Sequence, residues 1–280
     1  MKLLLATFTL ILLAQNAKCQ YYYNDIIILK ETNRQYLALK NSHITKITAQ
    51  SLESDNEPTK GFLLQQDILD NASKIVTTSE LPSSGRSVST NYYEDGHITK
   101  TVDNSNGDSG RVILSVIEYS YDTQGNITEN NTVTADTFMN SRSEEVHRWF
   151  YTNNSPAYML RIKDRVDTTM VEFVKDEQGN IAEEHWKKNG RRIEDYFYYY
   201  NDQHLLTDIV RFNNRVKRML PDFLFEYDGA GKLTKLTQIQ QNSSNYLTWY
   251  YEYNSNGLKQ KETCYDKLKQ LIGRIDYSFQ

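Results

Sequence analysis

The groups best suited to chemistry in this sequence are five histidines (His43, His97, His147, His185 and His204), many carboxylates and one Gly-Asp-Ser-Gly stretch. No histidine stands in an H-E-x-x-H pattern or a Cys/His cluster with ligand spacing, so a metal site is not expected. Glu183, Glu184 and His185 are consecutive, but on a strand consecutive side chains face opposite ways. They read as a solvated strand surface. Asp122, Asp176 and Asp228 each stand alone in a turn-like stretch, far from the about six to eight oxygens that calcium takes. Gly107-Asp108-Ser109-Gly110 sets a serine as a nucleophile might be set, without ordered His and Asp partners, and reads as a loop. A carboxylate pair for glycoside hydrolysis needs a cleft that desolvates one acid, and a repetitive sheet offers no obvious one. The expectation is no catalytic residue, no metal and no cofactor: not an enzyme.

The aromatic residues have more capacity for binding. Trp149, Trp186, Tyr196, Tyr198, Trp249 and Tyr251 are the candidates for a partner-binding face, because Tyr and Trp can stack on sugars or anchor a protein. In the run Tyr196-Phe197-Tyr198-Tyr199-Tyr200 both faces of a strand are aromatic, more than a one-sided core requires. The basic cluster of Arg211, Arg215, Lys217 and Arg218 nearby would suit the rim of an acidic partner or protect a solvated sheet face.

What positions these residues is a repeat. A phrase of aromatic, any residue, aromatic, Asp/Asn-rich turn, glycine and aliphatic residue runs through the chain. It is clearest at Tyr119–Ile127, Phe173–Ile181, Phe225–Leu233 and Tyr251–Leu258, with weaker copies around Gly96, Ser155 and His204. Turn centres at 96, 125, 155, 179, 204, 231 and 257 are spaced by 29, 30, 24, 25, 27 and 26 residues. Each unit reads as a β-hairpin. Alternating aromatics form a half-buried strand face; Asp122, Asp176 and Asp228 open the turns; and Gly125, Gly179, Gly231 and Gly257 supply the left-handed position. Second turns such as Asn189-Gly190 and Asn213-Asn214 fall midway between them. The expected fold is all-β, an up-and-down antiparallel hairpin-repeat sheet, twisted or curled into an open half-barrel.

These phrases resemble the YD repeats of the Rhs family, in a short, irregular, exported bacterial form, over about residues 88–258. In large Rhs and toxin-complex proteins, the resemblance implies, such repeats wind into a shell around a toxin cargo. Seven or eight units are too few for such a shell, so that function is not carried over.

The ends and the composition set the context. Met1-Lys2, the apolar run Leu3–Leu13 and Ala17-Lys18-Cys19 read as a secretory signal peptide over residues 1–19. Cleavage would leave Gln20 first, in the manner of Bacteroidota-like exported proteins; Lys18 disfavours the rival reading, a lipid anchor at Cys19. Nothing later has the length of apolar chain that a transmembrane helix needs. Removing residues 1–19 takes away Lys2 and Lys18, leaving 30 basic against 36 acidic residues and a formal charge of −6, which argues against nucleic acid or an anionic membrane as partner. With 21 tyrosines and only 4 prolines, the chain is expected to fold. Residues 20–60 read as N-terminal capping strands, built from Tyr21–Tyr23, Ile26–Leu29 and Ile44–Ile47, and 61–280 as the repeats. The function expected is a non-enzymatic protein of the periplasm, cell surface or exterior, presenting an aromatic sheet to a protein or envelope glycan. An envelope hydrolase with a carboxylate pair and a remnant of a polymorphic-toxin shell stay open as alternatives.

Overall fold

The structure, a computed structural model, describes residues 21–81, 85–106, 111–213, 216–240 and 245–280. The signal peptide with Cys19, the predicted N-terminal Gln20, the Gly107–Gly110 stretch, Asn214 and Arg215 lie outside the described residues. The described residues begin with a helix, α1 (Tyr23–Asn41). The chain continues through β1 (Lys46–Glu53), β2 (Leu63–Leu69), β3 (Lys74–Leu81), β4 (Gly85–Glu94), β5 (His97–Asn106) and β6 (Val112–Tyr121). Next come β7 (Ile127–Asp136), β8 (Ser141–Thr152), β9 (Ser155–Lys163), β10 (Asp167–Lys175), β11 (Ile181–Lys188) and β12 (Arg191–Tyr200). The last strands are β13 (Leu206–Asn213), β14 (Arg218–Tyr227), β15 (Leu233–Ile239), β16 (Tyr246–Tyr253), β17 (Lys259–Asp266) and β18 (Leu271–Phe279).

Every strand pairs antiparallel with its neighbours in sequence, as the repeat predicts, and the sheet does not stay open. β18 pairs with β1 from Ile47 opposite Phe279 to Glu53 opposite Gly273, closing an 18-stranded barrel. The expected open half-barrel is therefore wrong. Each unit alone looks the same in an open or a closed meander; the long-range pairing of β1 with β18 decides between them.

The repeat turns share one hydrogen-bond set. Asp122 Oδ1 accepts from the Gln124 and Asn126 amides at 2.8 and 2.9 Å, while the Gly125 amide donates to the Asp122 carbonyl at 3.1 Å. The set recurs at Asp176, Asn201, Asp228 and Asn254. All of these turns stand on one rim. Asp266 makes the same turn on the opposite rim, where the sequence gives no glycine to announce it. Gly125, Gly179, Gly231 and Gly257 take φ of 80°, 89°, 78° and 76°, and His204 and Lys269 occupy the equivalent left-handed position at 58° and 61°.

The tyrosine of each phrase has a separate task. The Tyr121 hydroxyl donates to the Ile98 carbonyl at 2.7 Å, Tyr200 to Ile181 at 2.8 Å, Tyr227 to Leu206 at 2.7 Å and Tyr253 to Leu233 at 2.8 Å. In each pair the acceptor begins the returning strand of the preceding unit, so the aspartate closes its own turn and the tyrosine ties one unit to the last.

Residues 23–41 correct the expectation of capping strands. Three consecutive isoleucines favour a strand locally, but Tyr22, Ile26, Leu29, Asn33 and Tyr36 recur at spacings of 4, 3, 4 and 3, one stripe of a helix. At 19 residues α1 is about 28 Å long and runs inside the barrel. Tyr21 packs on Tyr196, Tyr198 and Phe223 of β12 and β14, while Tyr36 stacks on Tyr93 of β4 with centroids 4.0 Å apart. The outer wall is of different character. Lys100–Glu118, Arg148–Glu129, Lys187–Glu172 and Lys261–Glu252 form cross-strand ion pairs, each on the face opposite buried neighbours such as Thr101, Ile117 and Trp149.

Gly179→Ala tests the turn. A Cβ there meets nothing within 4 Å, so the cost is the left-handed backbone alone, and urea unfolding should show a loss of about 1 kcal/mol. An unchanged midpoint would mean the turn does not depend on that conformation.

Candidate functional site

Two polar anchors fix α1 in the lumen. The first is Glu184 on β11, fully buried. Its carboxylate accepts from the Tyr22 amide at 2.7 Å, the Tyr23 amide at 2.9 Å, Trp186 Nε1 at 2.5 Å and the Tyr198 hydroxyl at 2.5 Å. The amides at a helix N-terminus lack intrahelical partners, and no local side chain caps α1; a residue some 160 positions away does so instead. Burial pushes the Glu184 carboxyl up, and these four donors oppose the shift. The second anchor joins Asp25 of α1 to His147 of β8. His147 Nδ1 lies 2.5 Å from Asp25 Oδ2 and its Nε2 2.9 Å from Glu145 Oε1, while Arg161 donates to Glu145 at 2.6 Å. Burial disfavours charge on His147, but the two carboxylates outweigh it and raise its pKa to about 9. Burial also opposes the Glu145 charge, yet His147 and Arg161 hold that carboxyl at about 2.

The sequence-predicted binding aromatics belong to this interior. Trp149, Tyr196, Tyr198, Trp249 and Tyr251 are between 1 and 4 % exposed, and Trp186 lies against Tyr22 with centroids 4.7 Å apart. An exposed aromatic face built from these residues is a mistaken expectation, because closure turns that face inward, into the core around α1 for Trp149, Trp186, Tyr196 and Tyr198 and into a second cluster with Leu236 and Cys264 for Trp249 and Tyr251. Of the adjacent Glu183, Glu184 and His185, Glu184 points to the lumen. His185 meets Glu183 at 2.8 Å and Asp195 at 2.9 Å on the other face. Among the described residues no three His, Cys, Asp or Glu side chains converge as a metal site would need. Cys264 is buried, and desolvation, with help from Asp266 and Glu262, pushes its thiol up to about 12. Of the basic cluster, Arg211 pairs with Asp222 at 2.7 Å, while Lys217 and Arg218 are exposed.

A cleft of about 500 Å³ opens at the rim of the repeat turns, between one face of α1, from Tyr23 to Leu37, and the turns around Gly96, Gly125 and Asn154. α1 contributes Lys30, Asn33 and Arg34; the strands contribute Tyr121 and Tyr151; the turns contribute Asn126 and Asn154. Arg34 is held by Glu31 through two hydrogen bonds of 2.8 and 2.7 Å, and the Asn126 amide donates to Asn154 Oδ1 at 2.5 Å. The lining thus combines ring faces, amide donors and acceptors, and two cations. The repeat spacing located the turns of this cleft; its helical side was missed because residues 23–41 read as strand.

No family model and no curated protein matches the sequence. Among solved structures, the chain is similar to a porin-like protein from Bacteroides uniformis at 10 % identity and a TM-score of 0.46, covering 85 % of this chain and 96 % of that one. A porin-like protein from Bacteroides vulgatus matches at 11 % identity and 0.28, over 85 % and 98 %. The Photorhabdus luminescens Tc holotoxin pore matches at 6 % and 0.23, over 77 % of this chain and 17 % of that one. All three scores are below 0.5, too low for the likeness to carry an inference.

The His147 anchor should make stability depend on pH. Its folded pKa is raised from 6.5 to about 9, so its contribution is complete below about 6.5 and is lost as pH rises through 9. Thermal melts from pH 6 to 10 should show a fall, on the order of a few kcal/mol for this coupled network, that His147→Gln removes. An equal fall in both proteins would place the titrating group elsewhere.

Proposed function

We propose that this is a non-enzymatic protein of the bacterial envelope whose helix-filled barrel is a rigid frame for a ligand cleft at its repeat-turn rim, and that the ligand is a segment of an envelope glycan. The cleft itself carries the reading. Its volume of about 500 Å³ falls in the ~300–1,000 Å³ range of small-molecule sites. Tyrosine rings suit the apolar faces of sugars, and Asn154, Lys30 and Arg34 offer groups suited to hydroxyls, while Asn126 donates to Asp122 and Asn154 and Asn33 accepts from Ile98. Export rests on the N-terminal signal sequence.

Several observations favour this over the alternatives. A barrel that spans a membrane presents an apolar band to lipid, whereas the outer wall here carries Lys100, Glu118, Glu129, Arg148, Glu172 and Lys187. Among the described residues the lumen holds α1 and its aromatic packing, an arrangement unlike a hollow shell around a cargo. Of the buried acids, Glu184 is held by four structural donors, Asp222 pairs with Arg211 and Glu262 with Lys259, which argues against their use in hydrolysis.

Calorimetric titration with oligosaccharides released from envelope polysaccharide tests the proposal. Lys30→Ala combined with Arg34→Ala, both on the exposed side of α1, should weaken binding by about tenfold, equivalent to ~1.4 kcal/mol. Tyr250→Ala, on the outer wall and 45 % exposed, should leave it unchanged. Binding lost with Tyr250 and kept by the cleft variant would refute the site.

A further inference from the structure

The rim opposite the repeat turns has a character that neither the fold nor the cleft requires. Four hairpins there expose apolar side chains at the tip: Phe138 (71 %) and Met139 (63 %) between β7 and β8, Val166 (86 %) between β9 and β10, Val216 (47 %) between β13 and β14, and Leu268 (73 %) between β17 and β18. Between β11 and β12, Ile193 is 52 % exposed just past the turn. Isolated exposed apolar residues are ordinary, but here they recur at the tips of one arc of one rim.

The β11–β18 side of this arc is basic. Arg191 stands at the β11–β12 turn, Lys217 and Arg218 follow Val216, and Lys267 and Lys269 bracket Leu268, while Lys187, Lys188 and Arg192 pair with Glu172, Asp167 and Asp195. The tips that carry Phe138, Met139 and Val166 are of mixed charge, with Asp136, Glu144 and Asp164 among Arg142, Lys163 and Arg165; Asp136 pairs with Arg111 and Glu144 with Arg165. The repeat-turn rim is acidic instead, since Asp95, Asp122, Asp176, Asp202 and Asp228 stand in its turns. The charge of a chain that is formally −4 is therefore unevenly placed, with cations gathered on the β11–β18 side of this rim and acids in the repeat turns. The net charge speaks against an anionic surface, but its distribution is what a surface meets within a Debye length of ~8–10 Å.

We infer that this arc docks on an anionic lipid surface, with Phe138, Met139, Val166, Val216 and Leu268 entering the headgroup layer and the surrounding lysines and arginines meeting lipid phosphates. The choice of a membrane over a protein follows from geometry. The apolar groups stand singly on neighbouring hairpin tips, separated by cations, as a broad, soft surface accepts; they do not form the continuous patch that a protein interface buries at its centre. Binding of this kind adds apolar insertion to attraction between basic residues and anionic lipid. It would turn the opposite rim, with its cleft, away from the membrane, although the docking does not depend on what the cleft binds.

The test is flotation of the purified protein with vesicles of phosphatidylcholine containing ~30 % phosphatidylglycerol, beside vesicles of phosphatidylcholine alone. Binding should favour the anionic vesicles and weaken as salt rises. The combination Phe138→Ser, Val166→Ser and Leu268→Ser should reduce it by about tenfold or more. Arg191→Glu with Lys217→Glu and Lys267→Glu should abolish the preference for anionic lipid. All six side chains are exposed, so melting curves matching the unsubstituted protein confirm that the variants fold. No binding to anionic vesicles at low salt, or equal binding by the serine variant, overturns the inference. Capture by polyglutamate without vesicle binding also overturns it, and assigns the arc to an acidic protein.

Discussion

The pairing of β1 with β18 is the constraint on which the rest of the molecule depends. A ring of 18 strands encloses more space than its own side chains fill; open barrels of this size hold water. Here the inward face is aromatic and aliphatic, and water against it would be costly. The chain resolves the conflict with the segment from Tyr21 to Asn41. α1 brings Tyr21, Tyr22, Ile26, Leu29, Tyr36 and Leu39 into the lumen, all buried, and the wall supplies the polar groups that α1 cannot supply to itself.

Those polar groups explain how a helix so mixed in composition holds one position. Apolar packing alone would leave α1 free to slide or turn inside the barrel. Glu184 takes two of its N-terminal amides, and His147 takes Asp25. Further along, Asn33 Oδ1 accepts from the Ile98 amide at 2.9 Å. These contacts come from β11, β8 and β5, so the helix is referenced to three parts of the wall. Unsatisfied partners at any of them would be expensive in so buried a setting. The cleft at the repeat-turn rim inherits this rigidity, because one of its sides is the helix and the other is the turns that the tyrosine hydroxyls bind together.

The polarity of the two rims follows from chemistry of different kinds. Aspartate or asparagine opens nearly every turn on one rim because its side chain accepts the amides two and four residues on, so that rim is acidic as a by-product of folding. On the other rim the demand is met less regularly, at Asp136, Asn213 and Asp266, and its hairpin tips carry exposed apolar residues and cations instead of a recurrent aspartate.

Much of this was legible from residue type and spacing. The even recurrence of Tyr-x-Tyr-Asp-x-x-Gly determined the hairpins, their antiparallel order and the turn chemistry, because those depend on contacts within a few residues. The helix was written too, in the spacing of Tyr22, Ile26, Leu29, Asn33 and Tyr36, though the isoleucine run obscured it. Only the tertiary structure decided that the sheet closes, since a strand near residue 50 must find one near residue 275 and no local signal encodes that meeting. Closure then decided the fate of Trp149, Tyr196, Tyr198 and Trp249, which in an open sheet would face solvent or a partner; here the first three join the core around α1 and Trp249 packs with Leu236, Tyr251 and Cys264. It also decided the roles of Glu184 and His147, whose partners lie more than a hundred residues away in the chain and within 3 Å in space.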